Sequence, residues 1–139
     1  MKDSASLDTL KSLIGCFLPE GILDYFEVVK VEENTVPIDK SSKDTEELYG
    51  KQLDVFLDER DNRTGDMNDA TSDGFTKESK ILDFPIRDHK TILHIRRRRW
   101  SMPDKTIRIV NLEDKIELAH PGTRYAKDFA HFLKTAFGQ

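Results

Sequence analysis

The sequence predicts an α+β domain, in which a small antiparallel sheet of about four or five strands lies between an N-terminal and a C-terminal helix. Apolar residues recur at helical spacing near both ends of the chain, and short β-branched segments lie between them. A length of 139 residues favours one domain, so we treat residues 1–139 as a single unit.

The first helix is predicted to begin at Ser6, whose hydroxyl suits the N-cap, with Asp8 near its positive end. Its apolar face comprises Leu7, Leu10, Leu13, Ile14, Phe17 and Leu18. Pro19 and Gly21 punctuate this helix, and residues 22–26 are expected to add a turn.

Strands are predicted in the middle of the chain, at residues 26–31, 52–58, 81–86, 91–100 and 106–110. Residues 59–80 are almost free of apolar side chains and predict a long mobile loop. The last strands are joined by connections too short for crossovers, which predicts antiparallel pairing. A second helix is predicted to begin at Thr123, with apolar residues Tyr125, Phe129, Phe132, Leu133 and Ala136 on one face.

Charge is divided along the chain, although the formal net charge is only −4. Residues 1–83 hold 10 Lys/Arg and 20 Asp/Glu, whereas residues 84–139 hold 12 and 6. A polyanion would therefore meet the second part, unless the two parts neutralise each other within one domain. No apolar run reaches the roughly 20 residues that cross a bilayer, and the N-terminus does not resemble a secretory signal, so we expect a cytoplasmic protein without a membrane partner.

The sequence offers no recognisable active site, so we expect a protein that is not an enzyme and uses neither metal nor cofactor. The single cysteine, Cys16, excludes an internal disulfide and a cysteine-based zinc site, and we expect it to fill core space. Residues 69–74 imitate the start of a calcium loop, but Lys80 stands where the bidentate glutamate should be. The acidic clusters at 46–47 and 58–61 are expected to be solvated surface rather than metal ligands.

Four consecutive arginines, Arg96–Arg99, followed by Trp100, are the strongest local feature. A strand would place two of them on each face, roughly 6–7 Å apart, where they must reach solvent, acids or an anion. Guanidinium groups suit phosphate oxygens and guanine edges. The alternative is that they neutralise the acidic first part of the domain, with Trp100 in the core.

Residues 83–100 (DFPIRDHKTILHIRRRRW) resemble the segment that precedes the zinc ribbon in a large class of insertion-sequence transposases. Residues 18–23 (LPEGIL) resemble the end of their N-terminal helix, and residues 122–129 (GTRYAKDF) resemble the first helix of their helix-turn-helix. The chain as a whole is most similar to the ISAon-type transposase N-terminal region family. This resemblance implies a bacterial mobile-element protein that supports transposition and DNA recombination, while a separately encoded polypeptide supplies catalysis.

The resemblance implies DNA binding at the ends of the insertion sequence, through the arginine-rich strand. The expected DNA-binding residues are Arg96, Arg97, Arg98, Arg99, Trp100, Lys105, Arg108, Arg124 and Lys127. Two departures matter: residues 101–104 replace the Cys-x-x-Cys of the zinc-binding relatives, and the sequence given ends after one helix of the helix-turn-helix.

The alternative is a protein-interaction subunit, in which the basic strand and the C-terminal helix bind the catalytic polypeptide and no DNA is touched. In that case Phe129, Phe132 and Phe137 would form a docking surface, unless they simply pack on the sheet. A third possibility is a decayed transposase remnant without DNA binding.

Overall fold

The computed structural model describes residues 9, 12–35, 50–119 and 125–137. It confirms the α+β class: within these ranges seven strands form two sheets, and helices precede and follow them. The strands are β1 (Phe26–Thr35), β2 (Lys51–Glu59), β3 (Thr71–Phe75), β4 (Ser79–Ile86), β5 (His89–Arg96), β6 (Arg98–Ser101) and β7 (Ile107–Arg108). The helical segments that follow residue 21 are α1 (Ile22–Tyr25), a 3₁₀ turn (Gly65–Met67) and α2 (Lys127–Phe137).

The larger sheet has the order β1-β2-β5-β4, and its central pair is parallel. The pairs β1–β2 and β4–β5 are antiparallel, as expected. The expectation of an antiparallel sheet is wrong for β2 and β5, because residues 60–88 separate these strands and give the chain room to return in the same direction. This parallel pairing places the acidic end of β2 beside the basic end of β5, with Asp58 opposite Arg96.

One face of the larger sheet forms the core, as the period of two along its strands requires. The alternate residues Val55 and Leu57 on β2 and Leu93 and Ile95 on β5 are all buried there. Burial of such side chains stabilises the fold by about 1.5–3 kcal/mol each. Phe26, at the start of β1, is fully buried in the same cluster.

The prediction of a loop without regular structure at residues 59–80 is wrong. The 3₁₀ turn places Met67 in the core, Ala70 is buried after it, and β3 pairs with β6 in the second sheet, whose order is β3-β6-β7. The sequence of β3, TSDGF, carries one large apolar residue, so its strand state follows from its pairing partner rather than from its own pattern.

The predicted single strand over residues 91–100 is interrupted at Arg97, where the chain leaves one sheet and enters the other. β5 ends at Arg96 in the four-stranded sheet, and β6 begins at Arg98 in the three-stranded sheet. The arginine run is therefore the junction between the two sheets rather than part of one continuous strand with two arginines on each face.

At the N-terminal side, residues 12–15 are helical and α1 adds the expected turn, whereas the predicted cap at Ser6 lies outside the described residues. Cys16 is exposed, so its expected place in the core is wrong, because the apolar face that buries Leu18 does not include it. At the other end, the Ala126 amide donates to the Leu82 carbonyl (2.9 Å), which docks the start of α2 on β4. The predicted cap Thr123 lies outside the described residues.

Candidate functional site

Arg96 is held by a carboxylate of the neighbouring strand. Its Nε and Nη2 donate to the two carboxylate oxygens of Asp58, at 2.8 and 2.6 Å, in a bidentate pair. Its guanidinium carbon lies 4.4 Å from the centre of the Phe75 ring, so β3 covers one side of it. The side chain nevertheless keeps 44% of its surface exposed.

Arg97 and Arg98 converge on Glu59, the last residue of β2, which is 0% exposed. The Oε1 atom of Glu59 accepts from Arg97 Nε (2.9 Å) and from the Arg98 amide (2.8 Å). The Glu59 carbonyl accepts from Arg98 Nε (2.8 Å), and Asn62 donates to Oε2 (2.9 Å). Arg97 also donates to the Val110 carbonyl. A buried carboxylate with this many donors anchors the junction between the sheets.

Arg99 and Trp100 complete the run on β6. Arg99 Nη2 lies 3.1 Å from an oxygen of Asp73 on β3, with both side chains partly exposed. Trp100 is buried in the core, and the guanidinium of Arg63 lies 4.5 Å from the centre of its ring. Trp100 was expected among the DNA-binding residues, but in this fold only 4% of its surface is exposed, and it occupies the core position of the alternative interpretation.

The other expected DNA-binding residues that the structure describes lie on β7, where Arg108 is opposite Trp100 of β6, in the turn before β7, and on α2. Arg108 on β7 lies 3.6 Å from Asp66, and Lys105 has an exposed side chain in the turn before β7. Lys127 lies 3.8 Å from Glu117 at the start of α2. Arg124 lies outside the described residues.

Within the described part of the chain, the carboxylates paired with Arg96, Arg97, Arg99 and Arg108 all come from the acidic first part of the sequence. Asp58, Glu59, Asp66 and Asp73 all precede residue 84. The parallel pairing of β2 with β5 and the pairing of β3 with β6 bring the two parts together. This arrangement agrees with the alternative interpretation of the charge division, in which the acidic first part of the domain neutralises the basic second part.

A buried polar network on the second face of the larger sheet was missed by the sequence analysis. His94 Nε2 lies 2.6 Å from Asp54 Oδ1, and His94 Nδ1 lies 2.8 Å from Glu78 Oε1. The His94 ring also stacks on Phe56, with centroids 4.3 Å apart. Both ring nitrogens of His94 therefore face carboxyl oxygens, and these come from two different segments of the chain.

Asp54 is the anchor of this network. Burial opposes its ionisation, but hydrogen bonds from His94, Gln52 and Asn34 outweigh that effect and hold the pKa of Asp54 below its usual value. The network ties β1, β2, β5 and the segment before β4 together, so it is a structural element of the sheet.

A cleft lined by apolar and charged side chains lies between α2, β4 and the segment that precedes α1. We call it the aromatic cleft; its volume is about 490 Å³, and its lining includes Phe17, Leu18, Phe84, Ile116 and Ala126. Phe17 is 55% exposed at this cleft. Next to it, the Phe84 ring contacts those of Phe129 and Phe132, with centroids 5.1 and 5.4 Å apart.

The three phenylalanines of the C-terminal helix behave differently. Phe129 is buried and packs on the sheet, whereas Phe132 is 49% exposed beside Phe84. The side chain of Phe137 lies outside the described residues. Phe129 therefore packs on the sheet, whereas Phe132 contributes to an exposed apolar surface.

A carboxyl group lies in the aromatic cleft. Asp83 is 5% exposed, and one of its oxygens accepts from the Phe84 amide (2.8 Å). Burial, together with the nearby carboxylate of Asp128, raises the pKa of Asp83 to about 6. The pairing register of β4 on β5 shifts just after Asp83, and such irregularities redirect side chains. Adjacent residues Asp83 and Phe84 thus line the same cleft.

Among the described residues, no group of three or more His, Cys, Asp or Glu side chains is arranged to hold a metal ion. The helices within the described ranges are all too short or too polar to cross a bilayer.

Comparison with known proteins identifies no relative: no family model, no curated protein and no solved structure matches the chain.

Proposed function

We propose that the chain is a non-catalytic protein-interaction module of an insertion-sequence transposase, and that it binds the catalytic polypeptide through the aromatic cleft. The observation that carries the interaction role is exposed aromatic surface in and beside this cleft. Phe17 and Phe84 line the cleft, the Phe132 ring contacts Phe84 next to it, and all three side chains are exposed. Contiguous exposed aromatic surface at a cleft is typical of protein-binding sites. The transposase assignment rests on the resemblance of residues 83–100 and of the two flanking motifs.

The state of the arginines supports an interaction module over a phosphate-binding strand. Arg97 pairs with the Glu59 carboxylate, and Arg96 forms a bidentate pair with Asp58. The Arg98 guanidinium instead donates to the Glu59 backbone carbonyl. A guanidinium that already pairs with a carboxylate gains less from a phosphate, because the existing pair must be weakened or lost.

The test is co-purification with the product of the downstream reading frame, after co-expression, at a salt concentration that abolishes DNA binding. Phe17→Ser and Phe132→Ser are expected to weaken the complex at least ten-fold each, since both remove exposed aromatic surface. Because each ring is about half buried, either substitution should lower the stability of the isolated chain by only about 1 kcal/mol, which circular dichroism and urea unfolding would verify.

The matched control is Ile107→Ser, which removes an exposed apolar side chain from β7 in the second sheet. It should leave the complex intact. A complex that survives both phenylalanine substitutions, or that Ile107→Ser weakens equally, would contradict docking at the aromatic cleft.

DNA contact remains a second candidate function, supported by the exposure of three arginines. The side chains of Arg96, Arg99 and Arg108 are 44%, 42% and 48% exposed. In this second candidate they contact phosphates from the outside while their inner atoms stay paired. Fluorescence anisotropy with duplex DNA at several salt concentrations separates the two candidates, because phosphate contacts produce a steep salt dependence.

A further inference from the structure

The Asp83 carboxylate lacks a cationic partner within the described part of the chain, although only 5% of the residue's surface is exposed. A buried carboxylate without a counter-charge destabilises a fold, and most proteins avoid it by pairing or by substitution. Asn would accept the same Phe84 amide without this cost. The position therefore has the properties of a site that a ligand completes.

The charges around Asp83 determine which ligand fits. The lining of the aromatic cleft also contains the acidic residues Glu20, Glu117 and Asp128 and the basic residues Lys115 and Lys127. Lys127 pairs with Glu117 at 3.8 Å, which leaves the remaining lining with an excess of negative charge. An anion would be repelled, whereas a cation with an apolar stem would match both the carboxylate and the aromatic walls.

We propose that the aromatic cleft receives a lysine or arginine side chain of the partner protein, with its charged end at the Asp83 carboxylate and its methylene stem against Phe17 and Phe84. This deepens the proposed function and rests on it, since it names the chemistry of the docked segment. A volume of about 490 Å³ accommodates the basic side chain together with its apolar neighbours in the segment.

The basic side chain supplies the counter-charge that the fold lacks. Once the cation is in place, the cleft is closed to water and the ion pair is strengthened by its apolar surroundings. The cleft would then discriminate between a cationic side chain and an uncharged one of the same shape.

The experiment uses the full chain and two dipeptides, N-acetyl-leucyl-arginine amide and its uncharged counterpart with citrulline in place of arginine. Titrations followed by ¹⁵N–¹H NMR at pH 7.5 give both Kd values and map the affected amides. The arginine dipeptide is expected to bind at least ten-fold more tightly and to shift the amides of residues 83–84 and the start of α2. Equal binding of the two dipeptides, or shifts confined to other regions, would overturn the proposal.

Asp83→Asn tests the carboxylate directly and is expected to remove the preference for arginine. It should fold, because it deletes an uncompensated charge and leaves no partner unpaired. The matched control is Asp24→Asn, an exposed acid on α1, which should keep the preference. A preference that persists in Asp83→Asn would assign recognition to another acid and overturn the proposal.

The outcomes separate this inference from the proposed function. If Phe17→Ser abolishes the complex with the catalytic polypeptide but the dipeptides bind equally, the docking surface stands and the role of Asp83 is wrong. If the dipeptides are discriminated but the complex is indifferent to Phe17→Ser, the basic-side-chain site stands and the proposed partner is wrong. A concentration-dependent dimer that Asp83→Asn dissolves, measured by light scattering, would assign the cleft to a second copy and overturn the partner assignment.

Discussion

Replacing Glu59 with glutamine removes the charge at the centre of the arginine run with almost no change in shape. In the native protein Oε1 accepts from Arg97 Nε and from the Arg98 amide, and Asn62 donates to Oε2. In Glu59→Gln one of these oxygens becomes an NH₂ group, which must face at least one existing N–H donor. Removal of one partner of a buried pair typically costs about 3–5 kcal/mol.

Because the Arg97 side chain is 26% exposed, water recovers part of its solvation, and we expect a loss near the lower end, about 3 kcal/mol. For a domain of this length such a loss lowers Tm by roughly 10 °C. Urea unfolding monitored by Trp100 fluorescence gives the free energy of unfolding, and a scanning calorimeter gives Tm.

The matched control is Asp73→Asn, which breaks the partly exposed pair with Arg99 and should cost less than about 1 kcal/mol. The explanation of the junction fails if Glu59→Gln unfolds within about 0.5 kcal/mol of the native protein. It fails equally if the two substitutions have the same effect, because burial would then not matter.

Three further substitutions probe other parts of the structure. His94→Gln should lower the free energy of unfolding by about 2 kcal/mol at pH 7, because it disrupts the hydrogen bonds to Asp54 and Glu78. Since the pKa of Asp54 is lowered in the fold, the stabilisation by its carboxylate is present above pH 3.8 and is lost as the pH falls further. Urea titrations across that pH range would detect this loss. Asp83→Asn should stabilise the protein at pH 7 by about 2–3 kcal/mol. Because the pKa of Asp83 is raised to about 6, its charge destabilises the native protein increasingly as the pH rises from 3.8 to 6. A stability difference between Asp83→Asn and the native protein that stays constant over this pH range would contradict the raised pKa. Trp100→Ala should cost about 3–5 kcal/mol by emptying a core site, and a loss below 1 kcal/mol, measured by urea unfolding through circular dichroism, would show that Trp100 contributes little to the core.

Local patterns in the sequence were sufficient for much of the fold. Strands β1, β2, β4 and β5 lie where β-branched alternation predicted them, and the C-terminal helix follows its apolar spacing. These elements depend mainly on side chains that face a core, and such side chains leave a periodic trace. The turn at α1 was visible for the same reason, since Ile22 is buried.

Pairings between distant segments could not be predicted. The parallel pairing of β2 with β5 depends on the path of residues 60–88, and β3 acquires its structure by pairing with β6. The environment of the arginine run depends on the same two pairings, because they supply Asp58, Glu59 and Asp73. A run of four arginines therefore indicates only that anions lie nearby, and the tertiary structure decides whether those anions are carboxylates or phosphates.

The candidate site was visible only in fragments. The alternative of an interaction subunit already included the C-terminal helix, and Phe132 lies on the exposed surface that was considered for it. The role of Asp83 could not be inferred, because it depends on the irregular register at the end of β4. The Asp128 carboxylate, which also raises the pKa of Asp83, lies on a distant segment, α2. The His94 network could not be inferred either, because its carboxylate partners, Asp54 and Glu78, come from two different segments.

The central claim is that the carboxylates of this chain, rather than DNA phosphates, neutralise the arginine run. Fluorescence anisotropy of the native protein with duplex DNA, titrated between 50 mM and 200 mM salt, tests it most directly. We predict weak binding, with an affinity that falls by no more than about one decade per decade of salt, as for roughly one phosphate contact. Micromolar binding at 150 mM salt with a slope of about three to four decades per decade, as for four phosphate contacts, would contradict the claim and make the arginine run a DNA-binding surface.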